Sequence, residues 1–175
     1  MATLEKIEFE KFGPYKFIGK SVYARSGPEN SGYIFGGLWC SYDKVSNELE
    51  KLSAYATNEN DAVAFLSLDK YDEQKKLLGY TIGKFMKADT PVPKGLDFFD
   101  IPEMVVAKVL IKGEFNDMIA SACNLTHEAI KRQAKYTTNC ENNNVYFEAE
   151  VYTKDTVPED GAVSVMAYYV SCKEK

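Results

Sequence analysis

Apolar and polar residues alternate along this chain in two rhythms, and the rhythms predict its elements. Tyr15 to Ala24 and Met104 to Lys112 are two long strand-like stretches. Each leads into a segment whose apolar residues recur every three or four positions, the signature of a helix with one buried face. The first helix is expected to start near Ser31, a good N-cap, and to carry Ile34, Leu38, Val45, Leu49 and Leu52 on one face. It should end near Ala54, before the polar Asn58-Glu59-Asn60-Asp61 loop. The second is expected from about Asn116, through Ile119, Ala122, Cys123, Thr126 and Ile130, to Lys135, its basic last turn suiting the helix dipole. Two further strands follow each helix: Ala62 to Leu68 and Lys76 to Met86, then Asn144 to Thr153 and Ala162 to Cys172. The chain thus reads β-α-β-β twice. Asp89-Thr90-Pro91-Val92-Pro93-Lys94-Gly95 between the halves cannot continue a central strand and is read as a connector inside one domain, residues 1–175.

The same alternation locates candidate chemistry. In the fifth predicted strand, Val145, Phe147, Ala149 and Val151 share one face, while Tyr146, Glu148, Glu150 and Tyr152 share the other. Such a face is either simply wet or the wall of a cleft. In a cleft, a partly desolvated glutamate between aromatic rings attracts an organic cation through charge and ring quadrupole together. Tyr80 and Ile82 share a face of the third strand, Met166 and Tyr168 a face of the last. Trp39, the sole tryptophan, reads as a core or half-buried residue, with Tyr42 beside it pointing toward a pocket wall.

Composition narrows the function classes. The 175 residues suit one domain that needs no disulfide or metal to fold. A formal charge of -5 and the lack of a Lys/Arg stripe argue against direct nucleic-acid binding; Lys131, Arg132 and Lys135 read as an ordinary helix terminus. The charged first twenty residues and the absence of a long apolar run predict no secretion signal and no membrane span, hence a cytoplasmic protein. Cys40, Cys123, Cys140 and Cys172 form no Cys-x-x-Cys pair and are expected to be buried, reduced thiols, with no metal and no cofactor. His127 is the only histidine, so a Ser-His-Asp triad or a multi-histidine metal site has almost no material, and no catalytic residue is assigned. Gly19-Lys20-Ser21 lies in a strand and is spaced wrongly for a phosphate loop.

The order of Tyr15-Lys16-Phe17-Ile18-Gly19, Leu38-Trp39, Gly79-Tyr80-Thr81-Ile82-Gly83, Ile101-Pro102-Glu103-Met104, Phe115 and Glu150-Val151-Tyr152 resembles the GyrI-like family of bacterial proteins, also called AraC effector-binding domains. The resemblance implies an α+β, SHS2-type fold of duplicated β-α-β-β repeats, about 14–89 and 102–172, in a curved antiparallel sheet with two helices on one face and a ligand cleft on the other. It implies binding of hydrophobic, aromatic or cationic small molecules, as in multidrug sensing or sequestration, with Trp39 and Tyr80 as cleft aromatics and Glu150 or Glu148 as the acid. Tyr42, Tyr146, Tyr152, Met166 and Tyr168 complete the expected lining. Family members also include hydrolases of cyclopropane-bearing genotoxins and gyrase inhibitors, so hydrolysis and binding to a protein partner, gyrase or a transcription regulator, stand as alternatives. No helix-turn-helix segment precedes the first strand, so a complete transcription factor is not expected. Where many members resemble Glu-Ile-Tyr-Ile-Pro-Val in the last strand, this chain has Met166-Ala167-Tyr168-Tyr169-Val170-Ser171, which removes an acid and favours binding over hydrolysis.

Overall fold

The computed structural model describes residues 1–25, 28–59, 62–72, 77–139, 146–153, 156 and 164–175, the side chains of 24–33 and 65–78 excepted. The chain is of the α+β class, as expected, and every strand pair described is antiparallel. It divides into two compact units, Gly13–Pro102 and Met1–Phe12 with Glu103–Lys175. Among the described residues no helix is long and apolar enough to cross a membrane.

The unit Gly13–Pro102 contains β2 (Tyr15–Arg25), α1 (Pro28–Trp39), α2 (Tyr42–Glu50), β3 (Ala62–Asp72), β4 (Leu77–Lys87) and β5 (Asp97–Ile101), with the sheet order β3-β4-β2-β5. The single long helix expected from Ser31 to Ala54 is instead two helices and a short 3-10 turn, Ser53–Tyr55. Cys40 and Ser41 break it, and the Ser41 hydroxyl turns back onto the Leu38 carbonyl at 2.7 Å. The helix also begins earlier than Ser31, at Pro28, a residue suited to a first helical position because its missing N–H has no partner there anyway. Val45 and Leu49, one turn apart on α2, bury against Ile18 and Met86, each contributing about 1.5–3 kcal/mol of apolar burial. In the middle of this sheet Gly19 faces Gly83 across β2 and β4. A Cβ on Gly83 would lie 2.0 Å from the Ile18 carbonyl oxygen, so only glycine permits these strands to approach as they do.

The other unit holds β1 (Thr3–Phe12), β6 (Met104–Gly113), α3 (Phe115–Lys131), β7 (Tyr136–Thr138), β8 (Phe147–Tyr152) and β9 (Ser164–Glu174), ordered β1-β6-β9-β8 with β7 also on β9. Strand β1 was not expected, because Glu5, Lys6, Glu8, Glu10 and Lys11 mask the inward residues Leu4, Ile7 and Phe9, which pack against the core of this unit. Helix α3 starts at Phe115 with Glu114 as its N-cap, not at Asn116, and ends four residues before Lys135. Its buried stripe is Met118, Ala122, Thr126 and Ile130. That stripe packs on Ala107, Val109 and Ile111 of β6, and on Met166, Tyr168, Val170 and Cys172 of β9. The opposite face carries Phe12, with its ring 5.9 Å from both Phe147 and Tyr169, and Lys108 sits over Tyr169 and Phe12.

Candidate functional site

Strand β8 alternates as its sequence predicts. Phe147, Ala149 and Val151 are buried, and Glu148, Glu150 and Tyr152 are half-buried on the other side. The acids differ from expectation in what covers them. The resemblance places them opposite the helices, yet Glu148 lies on the side of its sheet that α3 covers, in hydrogen-bond contact with that helix. Tyr146, Tyr168 and Met166 are on the same side and belong to the core beneath α3. The reason is register: Glu148 pairs with Val170 and Glu150 with Tyr168, so β8 and β9 turn matching faces to the helix.

Glu148 is the centre of a polar cluster. Its Oε1 lies 2.8 Å from His127 Nε2 and accepts the Tyr146 hydroxyl at 2.5 Å, while Oε2 accepts the Tyr168 hydroxyl at 2.5 Å. The side chain is 15% exposed. Burial alone would push its pKa up, but the donors from His127, Tyr146 and Tyr168 together outweigh it and hold the carboxyl at about 2, well below the ordinary range. Hydrogen bonding to Cys123 and to Glu148 raises His127 to about 10, against the opposing effect of burial. Burial, then the adjacent Glu148 charge, drives the Tyr168 phenol far above its usual value, so it remains a donor. Glu150 accepts the Tyr152 hydroxyl at 2.6 Å.

Two participants were missed from sequence. His127 was read beside Glu128, whereas Glu128 pairs with Lys131 at 2.7 Å and His127 reaches Glu148. Cys123 was expected to be buried, yet it is exposed on α3 one turn before His127; Cys40 is exposed as well, Cys172 is buried, and Cys140 lies outside the described residues. The four-residue spacing of Cys123 and His127 was the available signal, since residues so spaced share a helix face. Met166, expected as a cleft wall, is wholly buried with Met118 and Ile111 and serves the core.

In the unit Gly13–Pro102, Trp39, Tyr42 and Tyr80 do come together. The Trp39 Nε1–H donates to the Tyr80 hydroxyl at 3.0 Å, and Tyr42 packs on Trp39 with centroids 5.2 Å apart. Phe35, which the sequence reading did not single out, stacks on Tyr80 at 4.3 Å and 12°. It sits one helical turn before Trp39, so both rings descend on the same part of β4. Tyr80 is buried beneath them, and Trp39 and Tyr42 remain half-exposed.

No protein-family model and no curated protein matches the chain. Solved structures do resemble it. SAV2435, determined bound to tetraphenylphosphonium, is 11% identical with a TM-score of 0.62, over 97% of this chain and 94% of that one. A protein from Staphylococcus aureus MU50, described as a candidate bacterial transcription regulation protein, is 13% identical with a TM-score of 0.59, over 96% and 98%. An integron cassette protein from the mobile metagenome of Vibrio cholerae is 10% identical with a TM-score of 0.54, over 98% and 99%. At such identities the likeness establishes a shared fold along nearly the whole chain.

Proposed function

We propose that this protein binds lipophilic, aromatic organic cations without transforming them. The observation that carries the reading is Glu148: an ionised carboxylate, largely withdrawn from water, that accepts the hydroxyls of Tyr146 and Tyr168 and is balanced by the single positive charge of half-buried His127. An organic cation that takes the place of the His127 charge beside this carboxylate gains Coulomb attraction in a partly desolvated setting. The bound tetraphenylphosphonium of SAV2435, a protein of the same fold, supports this ligand class. In the other unit, half-exposed Trp39 and Tyr42 over Tyr80 offer aromatic area that serves charged and neutral ligands alike.

Binding rather than turnover is favoured by the state of Glu148. A carboxyl held at about 2, with both oxygens accepting hydrogen bonds, is a weak base near neutral pH. A cyclopropane-bearing electrophile incubated with the protein is therefore expected back unchanged, and hydrolysis above the buffer rate would reverse this part of the reading.

The test compares tetraphenylphosphonium with neutral triphenylphosphine oxide by calorimetry, on wild type, Glu148→Gln, Glu150→Gln and Trp39→Phe. Glu148→Gln is expected to weaken the cation about tenfold or more and the neutral compound little, in line with about 1.5–3 kcal/mol for interactions with charged groups. Trp39→Phe tests the aromatic surface of the other unit separately and should lower any binding there alike for both compounds. Equal losses in Glu148→Gln, or no detectable binding of the cation by wild type, would overturn the proposal.

A further inference from the structure

Helix α3 and strand β8 bring three different metal-binding side chains to one place. Cys123 and His127 are one turn apart on α3, and Glu148 faces them from β8. One donor atom from each, a sulfur, an imidazole nitrogen and a carboxylate oxygen, all lie within 4.8 Å of one another. We propose that Cys123, His127 and Glu148 form a three-donor site for zinc(II), with a fourth position open on the side of the exposed Cys123.

Donor chemistry selects the ion. Thiolate, imidazole and carboxylate are all zinc ligands, whereas a thiolate is a poor partner for the hard, oxygen-seeking magnesium and calcium ions. One thiolate and one carboxylate balance the two positive charges, with the imidazole neutral. Tetrahedral coordination at ordinary zinc bond lengths of roughly 2.0–2.3 Å puts neighbouring donors roughly 3.3–3.6 Å apart. Reaching it requires His127 Nε2 and Glu148 Oε1 to part from 2.8 Å by about half an ångström. The thiol, exposed at the surface of α3, has the freedom to close the rest. Binding of zinc releases two protons to solvent, one from the His127 imidazolium that faces Glu148 and one from the Cys123 thiol.

The surroundings are those of a supported ligand set. A coordinating carboxylate is normally held in orientation by hydrogen bonds from behind, and Glu148 receives them from Tyr146 and from buried Tyr168. Two of the donors come from consecutive turns of a seventeen-residue helix anchored by Met118, Ala122, Thr126 and Ile130, so their spacing is fixed before any metal arrives. Three protein ligands and one open position is the pattern of a zinc site that takes an exogenous fourth ligand.

The proposal does not depend on organic-cation binding, and its test reads a separate signal. Cobalt(II), a spectroscopic substitute for zinc, is added stepwise to the intact protein after chelator treatment. Expected are a thiolate-to-cobalt charge-transfer band in the near ultraviolet and four-coordinate visible bands, saturating at one equivalent and bleached by zinc. Cys123→Ser should abolish the charge-transfer band, Cys40→Ser should preserve it, and Tyr168→Phe should weaken zinc affinity about tenfold by releasing Glu148. Far-ultraviolet circular dichroism confirms that each variant is folded. Absence of the band in wild type at millimolar cobalt, or its survival in Cys123→Ser, would overturn the assignment whatever the outcome with tetraphenylphosphonium.

Discussion

Removing one oxygen atom should measure how strongly the core depends on the Glu148 cluster. Tyr168→Phe leaves the ring in place, so no cavity opens in the packing against α3, but it deletes the hydroxyl that donates to Glu148 Oε2. That oxygen belongs to an ionised carboxylate, and hydrogen bonds to charged groups contribute about 1.5–3 kcal/mol. With Tyr168 only 2% exposed, water cannot easily replace the lost donor from that side, which places the expected cost at about 2 kcal/mol. The internal control is Tyr152→Phe, which removes the donor to Glu150 at 2.6 Å where both groups are half-buried and water can substitute. Its expected cost is about 0.5–1 kcal/mol. Urea denaturation at pH 7 with chelator present reads both, as a fall in midpoint at unchanged slope. If Tyr168→Phe costs no more than Tyr152→Phe, burial and charge are not what make the Glu148 cluster strong, and the reasoning fails.

Three further outcomes follow from the same structure. Glu148 is depressed to about 2, so its stabilising effect is complete above the ordinary carboxyl range near 4.5 and is lost as pH falls toward 2; His127 is raised to about 10, so its effect is complete below 6.5 and is lost as pH rises toward 10. Metal-free wild type should therefore gain most from this pair between pH 4.5 and 6.5, and His127→Gln should flatten the alkaline decline in a series of urea midpoints; an unchanged decline would refute the assignment to His127. Gly83→Ala should cost more than about 3 kcal/mol or prevent folding, because a Cβ 2.0 Å from the Ile18 carbonyl forces backbone rather than a flexible side chain to move; a stable variant within about 1 kcal/mol of wild type would contradict the close approach of β2 and β4. Native-state alkylation followed by peptide mass spectrometry should label Cys40 and Cys123 readily and Cys172 slowly, since burial also pushes the Cys172 thiol up to about 11; rapid labelling of Cys172 would show that the core of its unit opens more than the packing implies.

Elements with a strong internal rhythm were legible before the structure. Strands β2, β4, β6, β8 and β9 fall where the strand-like stretches of the sequence put them, to within a few residues at the ends. The short strands β5 and β7 were missed, because five and three residues hold too few alternations to stand out. The alternation of β8 correctly separated Phe147, Ala149 and Val151 from Glu148, Glu150 and Tyr152.

What the sequence by itself determined is the local half of this protein: which residues share a face of a strand or a turn of a helix, that two β-α-β-β runs follow one another, and that Tyr42 lies close to Trp39. Those properties arise from backbone geometry, which is the same wherever the element is packed. The partners across elements were decided only by the tertiary structure. Whether the acidic face of β8 met solvent, a cleft or a helix depended on the register between β8 and β9 and on where α3 lay upon them. That register is a long-range pairing with no local signal. It is what set His127 against Glu148 instead of Glu128, and what gathered Cys123, His127 and two tyrosines around one carboxylate.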